Sequence, residues 1–276
     1  QRASERSRYA RREPSTQPES SAPVGSAPAI RAKALNAPGS TVCSLAGNWF
    51  NAMRPSRPMA ISRAVPVICS VPEVAKRGEA TGEIVGFDRD IGDEVCKRAR
   101  LDCEGVAADF DKLIPGVVSG EFDVVSSSLA DTPARREIID MTEPYWAADG
   151  IDEFIGFPGA PNPDAARVGV QSGTIHADHL AATGRTYETF VRTGDLLDAL
   201  VTRHIDLAYG AWDYTVLSLL SEEHGIESLY EETIDSNGVV MAVCKGNVVL
   251  LGKLNDAIAA MWDDGTIDAI SERWLY

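Results

Sequence analysis

From residue 61 onward, two hydrophobic periods trade places along the chain. Residues 64–71 form a continuous apolar run and read as a buried strand. Residues 73–81 are a charged loop, and 82–87 a short strand or hairpin arm. From 88 to 100 the apolar positions fall at Ile91, Val95 and Ala99, a helical spacing. Strand composition returns at 101–106. Residues 110–119 set Leu113, Ile114, Val117 and Val118 on one helical side, with Asp109 as a cap and Gly120 as the stop. A strand follows at 122–126. This alternation predicts a parallel or mixed sheet covered by helices. A second series starts after an extended connector at 151–157 and a loop at 159–163. Its strands are expected at 167–170, 186–190, 205–209, 226–230 and 239–244, and its helices at 175–180, 193–201 and 213–223. Two helices close the chain, one at 250–262 and one ending at Trp274. Residues 1–58 are rich in Arg, Ser, Ala and Pro, show little periodicity, and are predicted to be disordered.

Chemistry gathers at two strand-to-helix corners. Ser126, Ser127 and Ser128 stand at the carboxyl end of the strand at 122–126, where ligands of open α/β sheets bind. Asp131 or Thr132 then suits an N-cap and Pro133 the first turn, which places Arg135 at the start of a helix. Small hydroxyls, backbone N–H groups and a guanidinium at one corner suit an anion, above all a carboxylate. The second corner runs from Gln171 through Ser172 and Gly173 to Thr174, with the first helical N–H groups at Ile175. Two such corners in separate alternating units predict two lobes facing a cleft.

Composition narrows the partners. The 276 residues carry a formal charge of -15. Residues 1–50 hold seven basic and three acidic side chains, a formal +4, so the remainder carries -19. That balance argues against nucleic acid and against an anionic membrane surface. Five cysteines, without a C-x-x-C pair, indicate neither a zinc ribbon nor a redox motif. Cys96 and Cys103 lie near enough to meet at a helix-to-strand turn, but buried free thiols are the expectation. His176 and His179 are expected on the surface rather than as metal ligands. Asp88, Asp90 and Asp93 are read as helix-dipole partners. No cofactor or metal is expected, and neither a P-loop nor a His-Glu-x-x-His run occurs. No signal peptide is visible, and Thr41-Val-Cys43 is a poor lipobox.

From about Val65 to Trp274 the ordered chain resembles the extracytoplasmic solute-binding proteins of polar amino-acid ABC importers. Gly82-Glu-Ile-Val-Gly-Phe-Asp88, the run from Phe110 to Asp123, and Thr132-Pro-Ala-Arg135 with Thr142-Glu-Pro-Tyr145 carry the likeness, together with Val168-Gly-Val-Gln-Ser-Gly-Thr174 and Asp264-Gly-Thr266. The resemblance implies an α/β, two-lobed periplasmic-binding-protein type II fold, each lobe a mixed sheet flanked by helices. Lobe 1 would hold 59–150 plus 244–276, and lobe 2 would hold 151–243. It implies a non-catalytic, periplasmic or cell-surface monomer that clamps an amino acid or related carboxylate and delivers it to a permease. The alternative on the same fold is a cyclohexadienyl or arogenate dehydratase, for which Glu73 is the candidate acid. Carried over, Arg135 holds the ligand carboxylate, and Thr174 with the N–H of Ile175 completes its partners. Ser127, Ser128 and Ala130 line the first wall, Phe110 stacks on the ligand, and Gln171 reaches its end group. The chain departs from the pattern at Ala130, where a Ser or Thr is usual, and at Ala211, where an Asp is usual; Asp213 is the candidate replacement.

Overall fold

The computed structural model describes residues 29–33, 86–106, 108–147 and 152–275. The strands expected at 64–71 and 82–87 fall largely outside these residues, as does Glu73. Two five-stranded sheets organise the described chain. The first has the order β2-β1-β3-β10-β4, built from β1 (Ala29–Lys33), β2 (Asp102–Val106), β3 (Val124–Ala130), β4 (Ile139–Met141) and β10 (Val239–Cys244). The second has the order β7-β6-β8-β5-β9, from β5 (Asp152–Gly156), β6 (Val168–Gln171), β7 (Tyr187–Phe190), β8 (Leu207–Ala211) and β9 (Glu227–Glu232). In the second sheet β6 runs parallel to β7 and β8, while β5 runs antiparallel to β8 and β9. The described ladders of the first sheet are antiparallel.

The central strands of each sheet are buried on both faces, their side chains alternating between the two. In β10, Met241 and Val243 face a core shared with α1 (Phe87–Arg98), α7 (Val248–Asp263) and α8 (Thr266–Trp274). Val240 and Ala242 face the opposite way, against Leu113, Ile114 and Val117 of α2 (Leu113–Ser119). The second sheet repeats the layering. Phe154 and Tyr209 pack towards α4 (Ile175–Thr183), whereas Ile155 and Ala208 pack towards α5 (Thr193–Val201) and α6 (Tyr214–His224). Two segments, after β4 and after β9, cross between the sheets.

Several expectations change. Residues 152–156, expected as a connector, form a strand between β8 and β9, because Phe154 and Ile155 are fully buried on opposite faces. β10 pairs with β3 and β4, so the boundary placed at 243/244 belongs before Val239. Within the segment expected to be disordered, residues 29–33 pair with both β2 and β3, whose backbone groups they satisfy. α2 begins at Leu113 rather than at Phe110. Gly120 does end that helix, with φ 73. Cys96 and Cys103 are joined in a disulfide, with Cα atoms 6.1 Å apart, instead of remaining thiols. Cys244 is disulfide-bonded as well.

Candidate functional site

The first corner is built on an irregular strand. β3 pairs with β10 at Leu129↔Val240 and at Val125↔Ala242, so Ser126, Ser127 and Ser128 bulge opposite Met241 alone. Ser128 takes a left-handed φ of 44, while Ser126 and Ser127 are buried. After the bulge, Thr132 caps α3 (Pro133–Ile138) by accepting from the Arg135 N–H at 3.4 Å, with Pro133 in the first turn as the sequence predicts.

The two arginines of α3 divide sharply. Arg136 is half exposed and grips Asp131 through Nε (2.6 Å) and Nη2 (2.8 Å). Arg135 is only 4% exposed, and among the described residues no carboxylate pairs with it. Its Nη1 donates to the carbonyl of Ala130 at 2.9 Å, and its Nη2 donates to the carbonyl of Gly173 at 3.1 Å. The second bond crosses from one sheet's body to the other's. Burial pushes the guanidinium down to about 10, opposed by the charge of Asp178 on α4. The same burial raises the Asp178 carboxyl. Arg135 is therefore a charged group at neutral pH, poorly compensated and lodged at the seam.

The second corner faces it. Gly173 turns with φ 70 and leads to Thr174, whose hydroxyl donates to the Gln171 carbonyl at 2.9 Å and accepts from the Ala177 N–H at 3.3 Å. Ile175 is the first residue of α4, so the free N–H groups of that helix start beside Gly173. Gln171 is held by Thr193, which donates to its Oε1 at 3.2 Å, and its Nε2 donates to Val191. Arg192 then reaches Asp109 of the first body at 3.6 Å. Asp109 directly precedes Phe110, which is half-buried against the α2 core.

Arg135, Ala130, Gln171, Thr174 and Ile175 thus lie along one seam, with Phe110 at its edge next to Asp109. Ser127 and Ser128 belong to the adjoining bulge. Asp213 is engaged at the start of α6, where its Oδ1 accepts from the Val216 N–H at 3.1 Å. Ala211 ends β8, exposed and opposite Asp152. One histidine was misjudged from sequence. His176, expected on the surface, is buried against Asp152, Nε2 to Oδ1 2.8 Å. Asp152 also accepts from the Ile234 N–H at 2.8 Å. Asp88 stands in the first turn of α1, as its reading as a dipole partner expects, and is also buried, accepting from the Tyr145 hydroxyl at 2.6 Å and the Ser128 hydroxyl at 2.8 Å. The Gly82–Asp88 and Thr142–Tyr145 runs carry its two anchors in the sequence. Among the described residues no cluster of three or more His, Cys, Asp or Glu side chains could hold a metal.

Two α/β bodies, joined by two crossing segments and meeting over a buried arginine and a helix N-terminus, define a bilobal binding-protein architecture. The sequence profile of the bacterial extracellular solute-binding proteins, family 3, matches residues 70–276, and the chain belongs to that family. It is 26% identical over 243 residues to the lysine/arginine/ornithine-binding periplasmic protein of Escherichia coli (strain K12), covering 78% of this chain and 92% of that one. It is 29% identical to the ABC transporter arginine-binding protein 1 of the same organism, over 71% of this chain and 84% of the relative. Among solved structures, a periplasmic His/Glu/Gln/Arg/opine family-binding protein from Silicibacter pomeroyi, in complex with lysine, is similar with a TM-score of 0.65. That likeness has 31% identity and covers 71% of this chain and 88% of the other.

Proposed function

We infer that the protein is the non-catalytic substrate-binding component of an ABC importer, taking an amino acid or a closely related small carboxylate between its two bodies. The observation that carries this reading is Arg135. A buried guanidinium whose hydrogen bonds go to carbonyls has donors suited to a planar carboxylate. The start of α4 offers further N–H donors from the opposite side. Thr174 and Ile175 are accordingly assigned to the carboxylate, Ser127, Ser128 and Ala130 to the first wall, Phe110 to an apolar face, and Gln171 to the ligand's far end. Asp213 is assigned to the ligand's ammonium, with its helix-capping bond kept. The names of the relatives favour the basic amino acids.

The family and the disulfides agree with a periplasmic or cell-surface location, since disulfides persist in oxidising compartments. A permease is the partner this role requires, and the working unit is taken to be a monomer. Calorimetry with L-arginine, L-lysine, L-ornithine and L-histidine, and with their des-amino analogues, tests the assignment. Saturable binding of one or more amino acids is expected. Binding confined to the des-amino acids would remove the ammonium site, and no binding at all would remove the function. Conversion of prephenate by the purified protein would replace it with the dehydratase reading.

A further inference from the structure

Two side chains that the ligand assignment leaves unused, Asp88 and Tyr145, close a hydrogen-bonded ring with Ser128 of the β3 bulge. The Asp88 carboxylate accepts the Tyr145 hydroxyl on Oδ1 and the Ser128 hydroxyl on Oδ2. The Tyr145 oxygen in turn accepts the Ser128 N–H at 3.1 Å. The backbone carbonyl of Asp88 also accepts the Ser126 hydroxyl at 3.2 Å. Asp88 therefore touches both ends of the three-serine bulge, from the first turn of α1.

The ring holds something that does not hold itself. Ser128 sits at φ 44, a left-handed conformation in which an L side chain is strained, and such conformations persist only where the surroundings over-determine them. Both the amide and the hydroxyl of Ser128 are tied into the ring. Tyr145 is fully buried, and Asp88 is 6% exposed, so neither anchor is free to drift. A regular strand here would turn each serine to alternate faces and erase the bulge. We propose that Asp88, acting with Tyr145, is a positioning residue that holds the Ser126–Ser128 bulge in its left-handed turn and so fixes the wall of the ligand cleft. The proposal rests on the binding function assigned above.

The test is a double-mutant cycle read by L-arginine affinity. Asp88→Asn is expected to weaken binding about tenfold, and Tyr145→Phe by a smaller factor in the same direction. Glycine adopts a positive φ without strain. The same Asp88→Asn change is therefore expected to cost under about twofold when made together with Ser128→Gly. An equal loss in both backgrounds overturns the proposal, because it would show that Asp88 does not act through position 128. A crystal structure of the Asp88→Asn protein decides independently of any ligand. Ser128 is expected to leave the positive-φ region, and its retention there overturns the assignment. Failure of the wild-type protein to bind any amino acid would instead strike the functional reading, leaving the crystallographic arm to judge Asp88.

Discussion

At the residue scale, Arg135 combines depth with thin compensation. Replacing it with alanine is expected to weaken ligand binding at least about 100-fold while leaving the far-ultraviolet circular dichroism unchanged. Arg135→Lys should rescue little, because an ammonium cannot reproduce the two-pronged geometry. Titration calorimetry reads both. The charge itself predicts a pH profile. Burial holds the group at about 10, so it is cationic across the neutral range and its own contribution to binding should be flat between about pH 6 and 9. Affinity should fall as pH rises through about 10, where the cation is lost. Stability without ligand moves the other way. The unfolded arginine keeps its proton to a higher pH than the folded one, so above about 10 the unfolded chain binds more protons and folding gains with pH from this group.

At the scale of elements, α4 is the piece whose terminus matters most. Thr174→Val removes the hydroxyl that receives the Ala177 N–H and bonds the Gln171 carbonyl. The expected cost is about 1 kcal/mol of stability, seen in thermal melts, with a parallel loss of ligand affinity. Elements were also where the sequence spoke most clearly. The cap at Thr132, the helix start at Ile175, the stop at Gly120 and the strand at 239–244 were legible because they follow local rules. Asp152–Gly156 was not, since a buried strand of five residues and an apolar connector share one composition. The bulge was equally hidden. Nothing in Ser126-Ser127-Ser128 announces a positive φ, which is imposed by Asp88 and Tyr145 from distant parts of the chain. Arg135 could be picked from its corner, but its bond to Gly173 depends on how two bodies meet.

At the scale of the whole molecule, opposite charges face each other across the seam at Asp109 and Arg192. Both are partly exposed, so the pair is worth little in stability, about 0–1 kcal/mol. Its expected effect is on release. Asp109→Asn should speed ligand dissociation up to about fivefold and flatten its salt dependence, as read by stopped-flow fluorescence. Exchanging the two charges, Asp109→Arg with Arg192→Asp, should restore the slower rate.

The Asp152 carboxylate joins three parts of the second body. It opens β5 as the chain arrives from the first body, takes the Ile234 N–H as the chain departs, and holds His176 on the helix that faces Arg135. Incoming and outgoing strands are thereby stapled together at one depth. Any movement of the second body therefore carries β5, the segment after β9 and the helix start facing Arg135 together as one rigid arm.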